Sequence, residues 1–410
     1  MKRWLKITLP LVTLCLVVGF ASQARAVTVS GRASTVLEWF DTAEEETAVP
    51  LYQYLNLNVS DIAEEGWNFR GFGRLSDDLN SEVDADSRLY YAYLEKRDLL
   101  KNLDLKLGRQ FIATTAGASL MDGIYLDYQN LGPLSLAVFG GGDTTFYDGY
   151  HADDMIVGAE LSGRFLGSLD FGFSYLQKWD QGDLSHELFG LDLDYALAQG
   201  NLYSETQFSW LTEEVTYFLL GGSYRPGTDW SLRAEYLYSL PVFSSTSIFS
   251  VFAVDEYQEA LLEANYRLGQ GLTAFGRYIR EFYESVDDAD VLEAGLEKLR
   301  TKKFSGYLVG TYRSDDDGQD LAGVKLHAAY LFTPKCEAGA GLHVDVLERE
   351  LGFIADGTGT RVDDTTSQRY WVDATTYLSS KINVQGKVEY VESDLWDEYF
   401  RGRVRLNILF

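Results

Sequence analysis

The sequence predicts an all-β fold: a transmembrane antiparallel up-and-down β-barrel of about 22 strands, roughly 16 to 22, with no plug domain. Three observations predict it. Apolar and polar residues alternate through nearly the whole chain, which is the pattern of strands with two unlike faces. Tight turns alternate with mostly longer, acidic loops, as they do in a barrel that crosses an outer membrane. Aromatic rings gather at both ends of the apolar faces, where a bilayer has its two interfaces.

The first element is not a strand. Lys2, Arg3 and Lys6 precede the apolar run "LVTLCLVVGFA", and "SQARA" follows it with the small residues Ala24 and Ala26. This order is that of a secretory signal peptide cut after Ala26, and the run is shorter than the ~20 residues a spanning helix needs. The chain is thus expected to divide into a leader, residues 1–26, and a barrel, residues 27–410. Loss of the leader removes four positive charges (Lys2, Arg3, Lys6, Arg25) and no acid, so the formal charge moves from −27 to −31. Nucleic acid is excluded as a partner for so acidic a chain. Cys15 leaves with the leader and Cys336 remains, so neither an internal disulfide nor a thiolate metal cage is expected.

The strands then follow. Twenty-seven Tyr and 23 Phe beside six Pro suit many strands joined by short turns. In "VTVSGRASTVLEWF" one face carries Val27, Val29, Gly31, Ala33, Thr35, Leu37 and Trp39, and the other carries Thr28, Ser30, Arg32, Ser34 and Glu38. "WNFRGFGRL" sets Trp67, Phe69 and Leu75 against Asn68, Arg70 and Arg74, and "LDFGFSYLQKW" sets Phe171, Phe173 and Tyr175 against Asp170, Ser174 and Lys178. The same division recurs in "WSLRAEYLY", "INVQGKVEY" and "RGRVRLNILF".

Connections come in two kinds. "AEEG", "QNLGP", "RPGTD", "RLGQG" and "FTPK" are turns, whereas "DTAEEETAV", "SDDLNSEVDADS", "GGGDTTFYDGYHADD" and "LERELGFIADGTGTRVDD" are longer and acidic. Near the turns stand Trp67, Tyr128, Tyr195, Tyr224, Trp230, Tyr266, Phe332 and Phe410. Near the loops stand Trp39, Trp179, Trp210, Tyr238, Tyr278, Tyr312 and Tyr390. These are the two girdles expected of a barrel in lipid.

With its leader, its alternating strands and a final strand ending in Phe410, the chain resembles the Gram-negative outer-membrane β-barrel proteins. The resemblance implies a cell outer-membrane location and an assembly signal at Phe410 read by the barrel assembly machinery. It also implies contact with outer-membrane lipid and lipopolysaccharide. The stretch "RLYYAYLEKRDLLKNLDLKLGRQF" (88–111) is similar to strand pairs of porin-type channels, with Tyr90, Ala92 and Leu94 outward and Tyr91, Tyr93 and Glu95 inward.

If the apolar face meets lipid, the polar face lines a lumen. Its basic wall comprises Arg32, Arg70, Arg74, Lys387, Arg401, Arg403 and Arg405, and its acidic wall Asp170, Asp192, Asp194, Glu259, Glu263, Glu293 and Glu297. Opposed walls would set a transverse field across the pore, although neutralisation between adjacent strands, for instance Glu389 beside an arginine, is an equally direct reading. His151, His186, His327 and His343 form no metal-ligand motif, and no C-x-x-C-H occurs. No enzyme activity, metal or cofactor is therefore expected.

The expected function is a porin-like channel for passive passage of small polar or charged solutes. The alternative rests on a resemblance to the barrel subunits of porin–cytochrome conduits, and implies a sheath around a multihaem c-type cytochrome as partner. The apolar segment "LPVFSSTSIFSVFAVDEY" (240–257) is a candidate to fold into the lumen.

Overall fold

The computed structural model describes residues 27–42, 44, 46–62, 66–145, 149–241, 256–285, 287–315, 320–351, 361–393 and 396–410. The leader and most of the 240–257 segment lie outside the described residues. In chain order the strands are β1 (Thr28–Asp41), β2 (Thr47–Ala48), β3 (Pro50–Ile62), β4 (Trp67–Asp78), β5 (Arg88–Leu100), β6 (Leu103–Thr114), β7 (Gly117–Leu131) and β8 (Leu134–Thr145). They continue with β9 (Gly149–Phe165), β10 (Leu169–Asp180), β11 (Asp183–Leu197), β12 (Gly200–Ser209), β13 (Glu214–Tyr224), β14 (Trp230–Ser239), β15 (Tyr257–Gly269) and β16 (Leu272–Tyr283). The last are β17 (Ala289–Lys298), β18 (Phe304–Asp315), β19 (Leu321–Thr333), β20 (Cys336–Leu351), β21 (Arg361–Tyr377), β22 (Ile382–Ser393) and β23 (Trp396–Leu409).

Backbone hydrogen bonding dictates how these strands associate, because a bilayer offers no water to an open sheet edge. Each long strand pairs antiparallel with its neighbours in sequence, and β1 pairs with β3 on one side and β23 on the other. The two-residue β2 only extends the end of β1. The other 22 strands close into an up-and-down barrel, and no helix occurs among the described residues. The closing ladder runs from Arg32↔Leu409 to Phe40↔Arg401, and Gly31 and Phe410 exchange backbone hydrogen bonds of 3.1 Å below it.

Register carries the alternation around the wall. One face of the closing ladder holds Ala33, Thr35, Leu37 and Trp39 beside Ile408, Leu406, Val404 and Gly402. The other holds Arg32, Ser34, Val36 and Glu38 beside Leu409, Asn407, Arg405 and Arg403, with Ser34 Oγ donating to Asn407 Oδ1 at 2.6 Å. On the apolar face large side chains stand exposed, Leu262 at 59% and Val372 at 57%. A surface of that kind is one for lipid. Aromatic girdles border it, as where the Trp230 and Tyr266 rings lie tilted with centroids 4.7 Å apart and Trp210 meets Phe189 edge-on at 6.1 Å.

The wall departs from the expected simple barrel in three places. First, "GGGDTTFYDGYHADD" is not a long loop: β8 and β9 run through it as a ladder as far as Thr145↔Gly149. Second, a bulge between β4 and β5 at Phe72/Gly73 brings Tyr90 onto Phe72, ring centroids 4.7 Å apart, so Tyr90 shares the Phe72 face instead of the outward one expected for it. Third, the β5–β6 ladder ends at Ala92↔Arg109. Above that point, towards the long-loop end, β6 pairs only with β7 among the described residues.

Freed from β5, the β6–β7 hairpin leans inward. Its tip reaches strands three to five places away: Ala116 N donates to Ser174 Oγ at 2.8 Å, Thr115 Oγ1 donates to Asp192 Oδ1 at 2.8 Å, and Gln207 Nε2 donates to Ala116 O at 2.8 Å. Contacts of this span are possible only across the concave side, which fixes the polar face as the lumen. Beneath the tip, Ile112, Ala116 and Met121 pack with Phe139, Ile156, Leu176 and Leu188 in a buried apolar cluster.

Leu406 faces lipid between Thr35 and Val384, so Leu406→Arg is expected to cost roughly 2 to 4 kcal/mol. It should reduce the yield of folded, heat-modifiable barrel in an electrophoretic assay. Arg403→Gln, on the opposite face of the same strand, should leave that yield unchanged.

Candidate functional site: the charged lumen

Side chains facing the lumen begin with the closing ladder. Arg401, Arg403 and Arg405 on β23 alternate with Val404 and Leu406, and Arg32 stands on the same face of β1. On β4, Arg70 lies opposite Asn58 and Tyr93, and Arg74 opposite Tyr54 and Arg88. Lys387 on β22 lies opposite Arg403 and Asp373. The structure thus brings the predicted basic residues onto one continuous sector spanning β22, β23, β1, β3 and β4.

Part of this sector is neutralised. Glu389, only 2% exposed, accepts from Arg401 at 2.5 Å and from Lys387 at 2.5 Å, and Arg369 lies 3.6 Å away. Glu95 receives Arg70 at 3.3 Å and Arg97 at 3.3 Å. Arg74 donates to the Asp86 carbonyl at 2.8 Å and sits 4.9 Å over the Tyr52 ring. Among the described residues no ion pair reaches Arg32, Arg403 or Arg405, and the buried Nε of Arg405 has no hydrogen-bond acceptor. Glu38, opposite Arg403, is the one acid on this face of the closing ladder, so a net positive charge is left to the lumen.

The predicted acidic residues face inward too, but they do not form one free wall. Arg277 is held between Glu263 at 2.8 Å and Glu293 at 3.0 Å. Asp170 takes Arg164 in a bidentate pair at 2.5 and 2.7 Å. Asp192 is capped by Thr115, Asp194 accepts from Asn201 at 3.0 Å, and Glu259 accepts from Tyr257 at 2.7 Å. Glu297 lies opposite Thr273 and Tyr307. Arginines that the sequence reading did not place, Arg277, Arg233 and Arg313, interleave with the acids; Arg233 reaches Glu235 at 2.5 Å and Arg313 reaches Glu281 at 3.3 Å. Their inward period-two positions were the available signal.

Two of the four histidines lie beside carboxylates. His327 Nε2 lies 2.8 Å from Asp373 and stacks on Trp371, and His343 Nε2 lies 2.7 Å from Asp345. Among the described residues no group of three or more His, Cys, Asp or Glu side chains could hold a metal ion. At the long-loop rim acids crowd one another: a hydrogen bond with Glu46 is the first cause that raises the Glu82 carboxyl above its ordinary range.

No family model and no curated protein matches the chain. Solved structures do resemble it. The translocation pore of the P pilus usher PapC aligns at a TM-score of 0.55 with 10% identity, over 93% of this chain and 99% of that one. Pseudomonas aeruginosa OccK2 (OpdF) aligns at 0.46 with 14% identity, over 94% and 97%. Pseudomonas aeruginosa OpdQ aligns at 0.45 with 10% identity, over 94% and 99%. What is shared with PapC is the barrel fold.

Glu389→Gln leaves Arg401, Lys387 and Arg369 without their carboxylate, and because those cations are a third to a half exposed in the lumen the loss costs about 1 kcal/mol. The variant should lose its heat-modifiable form at a lower urea concentration than the parent.

Proposed function

We propose that the protein is an outer-membrane channel for passive passage of small polar solutes, and that it favours anions. The observation that carries this reading is the grouping of Arg32, Arg403 and Arg405 on the lumen face of the closing ladder, three cations beside the one acid Glu38 and without an ion pair among the described residues. In a low-dielectric wall such a sector focuses the field and raises the local concentration of anions. The acids elsewhere lie on other strands, Glu263 and Glu293 sharing Arg277 and Asp192 and Asp194 accepting from hydroxyl and amide groups, so their negative charge sits apart from this sector.

The inward hairpin supports a channel over a sheath. It occupies lumen space that an enclosed cytochrome would need, and it narrows the passage of a wide barrel.

The test is a planar-bilayer recording of the refolded protein under a salt gradient. Stable steps with an anion-selective reversal potential are expected, and Arg403→Gln with Arg405→Gln should move that potential towards the cation value. Absence of discrete steps in the parent protein, or selectivity unmoved by the double substitution, would sink the proposal.

A further inference from the structure

In the β6–β7 hairpin one edge is released from the wall while the tip turns across the lumen. Below Ala92↔Arg109 it belongs to the wall; above, β5 pairs with β4 and β6 pairs with β7. Arg109 and Asp122 brace the hairpin at this point of departure through a bidentate pair at 2.7 and 2.6 Å. Beyond the brace the hairpin is held by its last two pairs with β8, Leu120↔Thr144 and Met121↔Asp143, and by what its tip touches.

Its seat is specific on the wall side. Gly190 on β11 lies directly beneath the tip, and a Cβ there would collide with the backbone of Thr115 and Ala116. The seat is also incompletely filled. A cavity of about 320 Å³ beside the tip is lined by Gly117, Ala118, Lys178, His186, Gln207 and Tyr217. The polar bonds of the tip, to Ser174, Asp192 and Gln207, are ones that water can replace if the tip lifts.

We propose that this hairpin is a displaceable lid that sets the ion preference of the pore. The inference rests on the channel reading above and deepens it. Seated, the hairpin covers the inner wall of β10 to β12 and caps Asp192, so the open passage runs along the arginines of the closing ladder. Unseated, it uncovers Asp192 and widens the lumen towards its acidic side. The chemical class admitted thus shifts from small anions to a mixture in which cations compete.

Two release variants approach the seat from opposite sides: Gly190→Leu fills it from the wall, and Thr115→Val with Gln207→Ala removes bonds at the tip. Both should fold to the heat-modifiable form, raise unitary conductance severalfold and move the reversal potential towards cations. In parallel, Ala116→Cys in a Cys336→Ser background reports seating directly through its rate of reaction with a charged maleimide. That rate should be slow in the parent and rise severalfold when Gly190→Leu is added. Folded release variants with parental conductance, selectivity and labelling rate would show that the hairpin is a fixed part of the wall. A silent parent pore would refute the channel reading alone, and the labelling rates would still decide whether the hairpin moves.

Discussion

The closing ladder between β1 and β23 is the contact on which the rest depends. A sheet in lipid has no tolerable edge, because each unpaired N–H or C=O inside hydrocarbon costs several kcal/mol. Closure joins residues hundreds of positions apart, Ser34 with Asn407 among them, so register must be right around the whole circumference before the last pair can form. A slip of one residue at any ladder would turn arginines to lipid and leucines to the lumen. The same constraint explains why the alternation is so nearly uninterrupted: each strand carries its own statement of which way it faces.

Much of this was legible in the sequence, since period two is a local signal and needs no knowledge of partners. The count of about 22 strands and the sorting of Trp230, Tyr266 and Phe332 to one rim came from alternation and turn chemistry alone. Charge pairing was less legible. Arg277 reads as one inward cation, but its position between Glu263 and Glu293 is set by the registers of β15, β16 and β17 together. The face of Tyr90 was misread because a bulge adds one residue and breaks the period.

The inward hairpin was the largest feature not anticipated, yet the sequence held a trace of it. Leu176 interrupts the polar face of Asp170, Ser174 and Lys178, and Ile112, Met121, Ile156 and Leu188 likewise fall on lumen positions. Apolar side chains facing an aqueous pore are unfavourable unless something covers them. Gathered on β6, β7 and β9 to β11, they specify a lid as surely as a hydrophobic stripe specifies a helix's buried face. No single strand reveals this, because the cluster exists only once the barrel has curved those strands towards one another.

Lid and arginine sector are consequences of one geometry. A barrel of this width cannot fill its interior with side chains, so the passage must be narrowed by a segment that gives up part of its wall pairing. The β6–β7 hairpin gives up its ladder with β5, and Arg109 offsets some of that loss by bracing Asp122 and reaching towards the Leu89 carbonyl at 3.4 Å. Having turned inward, the hairpin must bury its apolar face, and the lumen-facing leucines of β10 and β11 are where it can do so. The arginines of β23 and β1 are left to water on the remaining perimeter. Unequal walls therefore follow from the narrowing itself: the sector beneath the hairpin loses contact with the solute path, and the charge of the sector left open decides what passes.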